Sequence, residues 1–459
     1  MSNLLSTLKG IVGETGVLMG DALAGRSAGF WAGGELQALA LVRPGTTNEV
    51  AAVLKACNDA GQPVVPVGGM TGLAGAHDTG PNDIALSLER MAVIENLDTQ
   101  SRTMTVQGGT ILQTVQERAA QANLMFPLDL GARASCTIGG NIATNAGGVR
   151  VIRYGMMREL VLGLEAVLAD GTVISSMSGL MKNNTGYDLR QMFVGSEGTL
   201  GVVTRAILRL YEAPLGIETA LLAVPSWDAV MELLRHFDRA LAGGLIAFEV
   251  MWWDYFDLNT GPYSDVDSPL REEAPFYVLM EAFVADAEQG RVGLESLLTC
   301  CIEQRDVVDG VIAKSEAERL KIWQIRESYE PERKRFGPTY GYDVSLRIED
   351  MDTYVENVRQ ELKTRWHESE LFVLGHIGDG NIHFSVANVS TDDLPETSKI
   401  IYGLLRDLNG SVSAEHGIGL EKKAYLGITR SAVEIDLMRR TKKMMDPRGI
   451  LNPGKIFDL

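Results

Sequence analysis

Three glycine-dense stretches in the first 204 residues constrain this chain more than any other feature. They are Pro66-Val67-Gly68-Gly69-Met70-Thr71-Gly72-Leu73-Ala74-Gly75, residues 135–148 (SCTIGGNIATNAGG) and residues 195–204 (GSEGTLGVVT). Glycine admits positive φ and lets backbone approach a ligand closely. Successive amides can then form a concave site for an anion such as a pyrophosphate. The first stretch follows the β-prone run Pro63-Val64-Val65-Pro66-Val67 and reads either as such a cradle or as a plain tight turn. The second sets two threonines and two asparagines among four glycines. That composition suits a flat cofactor packed on backbone, with amides and hydroxyls bonding its polar edge.

The chain's 459 residues exceed one core of ordinary size and predict two or three domains. Its formal charge of -18 repels polyphosphate backbones and excludes nucleic acid as a natural partner. A local cationic pocket can still hold an anionic substrate. Cys57, Cys136, Cys300 and Cys301 form no CxxC pair, which points to reduced thiols and a cytoplasmic protein. The first sixteen residues read as a helix and not as a signal, and no apolar run is long enough to span a membrane. A helix capped by Thr47 and strands near residues 63–67, 84–88, 103–106, 160–168, 202–210 and 219–224 give an α+β pattern. Composition shifts at Ala213-Pro214 towards longer helices at residues 227–241, 288–304, 315–326 and 352–364. The expected layout is a domain over residues 1–214, a second over 215–430, and a segment over 431–459 that docks back on the first.

Two nucleotide readings fail. No strand–GxGxxG–helix unit is present. Residues 449–455 imitate a Walker A loop, but Ile456 replaces the required hydroxyl residue and no helix can follow.

Three of only six histidines lie in two short motifs, Gly375-His376-Ile377-Gly378-Asp379-Gly380-Asn381-Ile382-His383 and Ser413-Ala414-Glu415-His416-Gly417-Ile418-Gly419. A Gly-Asp-Gly turn can bring His376 and His383 together. With Glu415 they make three N/O ligands and leave a position open, as in catalytic divalent-metal sites. His416 is then a spare imidazole suited to general-base work. The bland alternative is a pair of core histidines in a strand–turn–strand.

Residues 35–214, through the three glycine stretches, Tyr154-Gly155 and Asn184-Thr185-Gly186-Tyr187-Asp188-Leu189, resemble the FAD-binding domain of the vanillyl-alcohol oxidase and p-cresol methylhydroxylase superfamily. The resemblance implies a two-part FAD-binding domain of that type. It places the pyrophosphate against Val67, Gly68, Gly69, Met70, Thr71, Gly72 and Leu73. The rest of the flavin would lie against Pro127, Thr137, Gly140, Asn141, Thr144, Asn145, Gly147, Gly148, Glu197, Gly201, Val202, Val203 and Asn452. Val67 and Met70 depart from the family, which often has arginine and glycine there. The first loop offers no His or Cys for attachment, so noncovalent FAD is expected.

Residues 215–459 are similar to FAD-dependent D-2-hydroxyacid dehydrogenases, the D-lactate, glycolate and D-2-hydroxyglutarate group. The resemblance is carried by Ile325-Arg326-Glu327, the two histidine motifs, and the ending Asp446-Pro447-x-x-Ile450-Leu451-Asn452-Pro453-Gly454-Lys455. It implies an α+β substrate domain with an antiparallel sheet. It also implies a divalent metal, zinc foremost, on His376, His383 and Glu415, and proton abstraction by His416. Arg326, Asn381 and His376 would meet the substrate, with Arg326 forking onto its carboxylate. Without the resemblance, Arg326 reads as a surface helix arginine. In 2-hydroxyglutarate dehydrogenases a lysine commonly precedes the Tyr-Asp pair. Here Gly341 precedes Tyr342-Asp343, and Glu330 stands where a small hydroxyl residue is usual. A shorter acid such as D-lactate is therefore expected at least as readily as 2-hydroxyglutarate. The electron acceptor (quinone, electron-transfer flavoprotein, cytochrome or oxygen) stays open, and a homodimer is a natural assembly. Two other readings are a flavin-binding subunit of a glycolate- or lactate-oxidising complex and a non-redox alkyl-transfer flavoenzyme of the same fold.

Overall fold

A computed structural model describes residues 2–29 and 33–459. The chain separates into two compact units, one holding residues up to 147, 154–213 and 415–459, the other residues 148–153 and 214–414.

In the first unit the helix Thr47–Ala60 buries Val50, Val53, Leu54 and Cys57, the apolar stripe expected from their spacing. Its N-cap is Thr46, not Thr47: the Thr46 hydroxyl accepts the amide of Glu49. The chain turns at left-handed Gly61 into the strand Val64–Val67, which runs parallel to Ile84–Ser87; that strand pairs in turn with Ala40–Val42. An antiparallel sheet of five strands follows, in the order Ile94–Asp98, Thr103–Gln107, Val202–Arg209, Val161–Val167 and Val173–Ser176. The C-terminal segment reaches the first sheet, where Val64 donates to Ile450 and Asn452 donates back to Val64. Buried Lys442 secures that segment, donating to the carbonyls of Thr199 and Leu451 and to Asp446. Its cost of burial is offset because every acceptor is carbonyl or carboxylate.

The second unit is built on one seven-stranded antiparallel sheet, in the order Asp309–Ile312, Gly216–Val224, Phe276–Val284, Leu245–Trp252, Glu370–His376, Asn381–Ala387 and Tyr340–Ser345. One face packs Ala247, Met251, Tyr277, Leu279, Phe372 and Leu374 against Tyr255, Phe256, Ile322, Trp323 and Ile325. The last three lie on the helix Glu316–Glu327, capped by Ser315. Among the described residues no helix is long and apolar enough to cross a membrane.

Candidate active site

Side chains alternate faces along a strand, and directly paired residues share a face. In the second unit Glu249 pairs with His376, Leu374 with His383, His383 with Asp343, and Asn381 with Ser345. Ala247, Glu249 and Met251 share one parity, as do Leu374 and His376. The acids and imidazoles therefore stand on the face that carries the apolar cluster. The Gly378-Asp379-Gly380 turn closes the hairpin, with Gly380 at φ 86°, and the two imidazole rings meet edge-on with centroids 5.2 Å apart.

Glu249 is the residue that sequence reasoning missed. Its Oε1 accepts from His376 Nδ1 at 2.7 Å and its Oε2 from Arg326 Nε at 2.8 Å. Burial pushes its carboxyl pKa up, but the neighbouring His376 and Arg326 charges hold it net below the usual carboxylate range. Arg326 is 7% exposed, so the surface-arginine reading fails, and its guanidinium is already matched to a carboxylate. Burial pulls its pKa down and Glu249 overrides that, leaving it raised. Its Nη2 donates to His376 Nε2 at 3.2 Å, so Nε2 carries the ring's lone pair and the ring proton sits on Nδ1, towards Glu249. The same helix face holds a second buried acid, Glu281, through Arg319 and the Trp323 indole. Positions 319, 323 and 326 fall on one side of a helix, so three successive polar residues fix it to the sheet.

Asp343 is fully buried and accepts the Ala414 amide at 3.0 Å and the Ser413 hydroxyl at 3.3 Å. A bridge between Ser345 and Ser411 starts the same contact. Glu415 and His416 follow directly. Ligand atoms of His376, His383 and Glu415 all lie within 4.8 Å of one another, and so do those of Asp343, His383 and His416. The first group fits a divalent cation better. It offers two imidazoles and a carboxylate, and His376 has its other ring nitrogen bound to an acid, as metal-bound histidines almost always do. Asn381 is 4% exposed, and both polar atoms of its amide are buried without a hydrogen bond. An orphaned buried amide costs about 1–3 kcal/mol, which a polar ligand beside His383 would recover. Glu330, by contrast, lies exposed on the following helix, Glu330–Phe336.

In the first unit the glycine stretches pack on one another. A Cβ on Gly69 would stand 1.9 Å from the Ser135 carbonyl, and one on Gly68 2.6 Å from the Thr137 hydroxyl. Thr137 caps the helix Ile138–Thr144 by accepting the Gly140 amide. Met70 takes φ 56°, which explains why glycine is the usual residue at its position. Val67 ends its strand, and Thr71, Gly72 and Leu73 follow in the loop. Asn145 terminates the 138–144 helix in the left-handed region and accepts the Arg158 amide. Thr144 turns its hydroxyl back to Gly140. Pro127 and Gly147 lie outside regular elements, and Gly148 begins the short excursion that belongs to the second unit. Gly201, Val202 and Val203 enter the strand Val202–Arg209. Asn452 donates to the Ala76 and Glu197 carbonyls, and its Oδ1 is buried without a partner, as is Asn141 Nδ2. A side-chain-free cradle with unsatisfied buried amides beside it fits a flat, polar-edged cofactor such as FAD.

Comparison with known proteins gives a consistent result. Residues 38–176 match the family model described as "FAD binding domain", and residues 214–456 the one described as "FAD linked oxidases, C-terminal domain". The chain is 41% identical over 427 residues to D-2-hydroxyglutarate dehydrogenase of Xanthomonas citri pv. viticola, covering 92% of this chain and 89% of that protein. It is 37% identical over 417 residues to the mitochondrial D-2-hydroxyglutarate dehydrogenase of Rattus norvegicus, covering 90% and 77%. Among solved structures, p-cresol methylhydroxylase with substrate bound aligns at TM-score 0.75 and 16% identity, covering 100% of this chain and 97% of that one. At that identity the likeness shows the fold alone.

Proposed function

We infer the function from one premise, that this chain belongs to the FAD-linked oxidase family. Within it, the protein is an FAD-dependent oxidoreductase that converts a small D-2-hydroxy acid to the 2-oxo acid. The observation that carries this reading is near-full-length similarity to D-2-hydroxyglutarate dehydrogenases at up to 41% identity. Bound FAD supplies a two-electron acceptor, and a divalent cation, zinc first, lowers the pKa of the substrate hydroxyl.

The chain's own residues have separate tasks. His376, His383 and Glu415 would hold the cation through two imidazoles and a carboxylate. Glu249 keeps the His376 proton on Nδ1, so the lone pair is on Nε2; there it accepts from Arg326 Nη2, which would give way to the cation. His416 takes the hydroxyl proton on an imidazole nitrogen. Arg326 meets the substrate carboxylate with the part of its guanidinium that Glu249 does not occupy. Asn381 gives its amide to the substrate's polar atoms.

The test is an anaerobic bleaching screen of the yellow protein against both hands of 2-hydroxyglutarate, lactate and malate, with glycolate. Bleaching confined to D acids and glycolate is expected. Flavin that stays oxidised with every acid would defeat the reading.

Gly341 bears on which acid is preferred. It pairs with Ser385 and shares the face of Asp343 and His383. A Cβ there meets nothing nearer than the Phe384 carbonyl at 4.0 Å, so a long side chain fits. Gly341→Lys is expected to raise kcat/KM for D-2-hydroxyglutarate relative to D-lactate by about tenfold or more, since a hydrogen bond to a charged group contributes about 1.5–3 kcal/mol. An unchanged ratio in steady-state kinetics would show that the distal carboxylate lies elsewhere.

A further inference from the structure

We propose that Glu197, in the third glycine stretch, is the positioning residue for the segment that carries Glu415 and His416. The proposal rests on the reading that these two side chains serve the cation and the proton.

Glu197 is 6% exposed, and both of its carboxylate oxygens are engaged: Oε1 accepts the Ile418 amide and Oε2 the Gly419 amide, each at 2.8 Å. Its own backbone is pinned. The Glu197 amide donates to the Ala143 carbonyl at 2.7 Å, and its carbonyl accepts from Asn452 Nδ2 at 2.6 Å. It also takes φ 51°, unusual for a residue with a side chain, so the loop holds it in one place.

The opposite side of the segment is gripped by the first glycine stretch. Ala74 accepts the Leu420 amide at 2.9 Å. A Cβ on Gly419 would stand 1.8 Å from that same Ala74 carbonyl, and one on Gly417 2.8 Å from Glu197 Oε1. Gly417 and Gly419 have φ 83° and 51°. Residues 412–418 form neither helix nor strand, so no repeating ladder fixes their path. Side chains take the place of a ladder: Asp343 accepts the Ala414 amide, and Glu197 accepts those of Ile418 and the following Gly419. His416 lies only two residues before Ile418, so the reach of the chain ties it to the Glu197 carboxylate within roughly 7 Å of backbone. The glycines at 417 and 419 thus serve close packing on the two loops, in addition to turning the chain.

A carboxylate is suited to this task because it can accept two amides at once. Glutamine keeps one acceptor oxygen and sets its NH2 against the second amide. Alanine leaves both amides without an acceptor. The order of effect is therefore wild type, then Glu197→Gln, then Glu197→Ala.

The experiment uses the full chain loaded with FAD. Hydrogen exchange of residues 415–420 should speed by about tenfold or more in Glu197→Ala and by less in Glu197→Gln. Exchange in residues 84–87, within a parallel sheet remote in sequence, should not move. The Zn2+ dissociation constant should rise about 10–100-fold in Glu197→Ala, the range seen when an outer partner of a metal ligand is lost. kcat per bound flavin should fall in step. If Glu197→Ala does not retain FAD, Glu197→Gln carries the test with the same signs. Unchanged exchange at 415–420 in both variants, or exchange that rises with no change in Zn2+ affinity or kcat, would overturn the proposal. A wild type that binds no Zn2+ would defeat the metal reading instead, and exchange at 415–420 would still decide whether Glu197 holds the segment.

Discussion

His416→Ala is expected to lower turnover by about two to four decades, the usual contribution of a positioned general base, with flavin and metal contents near those of the wild type. His416 shares a group with Asp343 and His383 whose ligand atoms lie within 4.8 Å of one another, so it stands next to the cation set without being needed to complete it. His376, His383 and Glu415 already give the three protein ligands that leave a position open. Losing the third imidazole removes the proton acceptor and leaves the donors. The measurement is single-turnover flavin bleaching by D-2-hydroxyglutarate, with metal analysis and the flavin spectrum taken on the same sample. Partial recovery with added imidazole would assign the loss to proton transfer. A near-normal bleaching rate would remove His416 from that role, and loss of metal in parallel would make it a ligand.

Much of this site is legible in the sequence because its parts are local. His376 and His383 are separated by one turn, and the glycines that permit the turn are printed between them. The same holds for the glycine stretches, whose composition alone implies close backbone approach. The helix Trp227–Leu241 has the bounds that its spacing predicts, since an amphipathic period is written in one segment. What the sequence hides is register. Leu245–Trp252 and Phe276–Val284 are buried over nearly their whole length and carry almost no alternation, so strand and buried helix look alike there. Glu249 is one acid inside such a run, 127 residues before its partner His376. Nothing short of strand pairing brings the two together. Arg326 is legible as a candidate site residue only through family resemblance. Its buried pairing with Glu249 depends on how a helix lies across that same sheet. The N-cap at residue 46 is a smaller case: two threonines stand side by side, and only backbone geometry selects between them.

The largest structural effect should come from Glu249, because one carboxylate serves two buried partners. Glu249→Ala leaves the Arg326 guanidinium buried with no anion, and breaking a buried pair from one side costs about 3–5 kcal/mol. It also frees the His376 ring, and loss of an outer partner weakens metal binding by about 10–100-fold. Glu249→Gln separates the two effects. The Gln carbonyl oxygen can still accept from Arg326 Nε, so much of the stability should survive. Its NH2 would then face His376 Nδ1 and favour the tautomer that accepts there, moving the ring proton to Nε2. That is the nitrogen whose lone pair the cation needs. Glu249→Gln should therefore unfold in denaturant closer to the wild type than Glu249→Ala does, yet bind Zn2+ about as poorly. Equilibrium unfolding followed by tryptophan fluorescence reads the first quantity, and competition with a chromogenic chelator reads the second. If Glu249→Gln kept wild-type Zn2+ affinity, His376 would not be a ligand through Nε2, and the overlapping group of Asp343, His383 and His416 would become the candidate metal set.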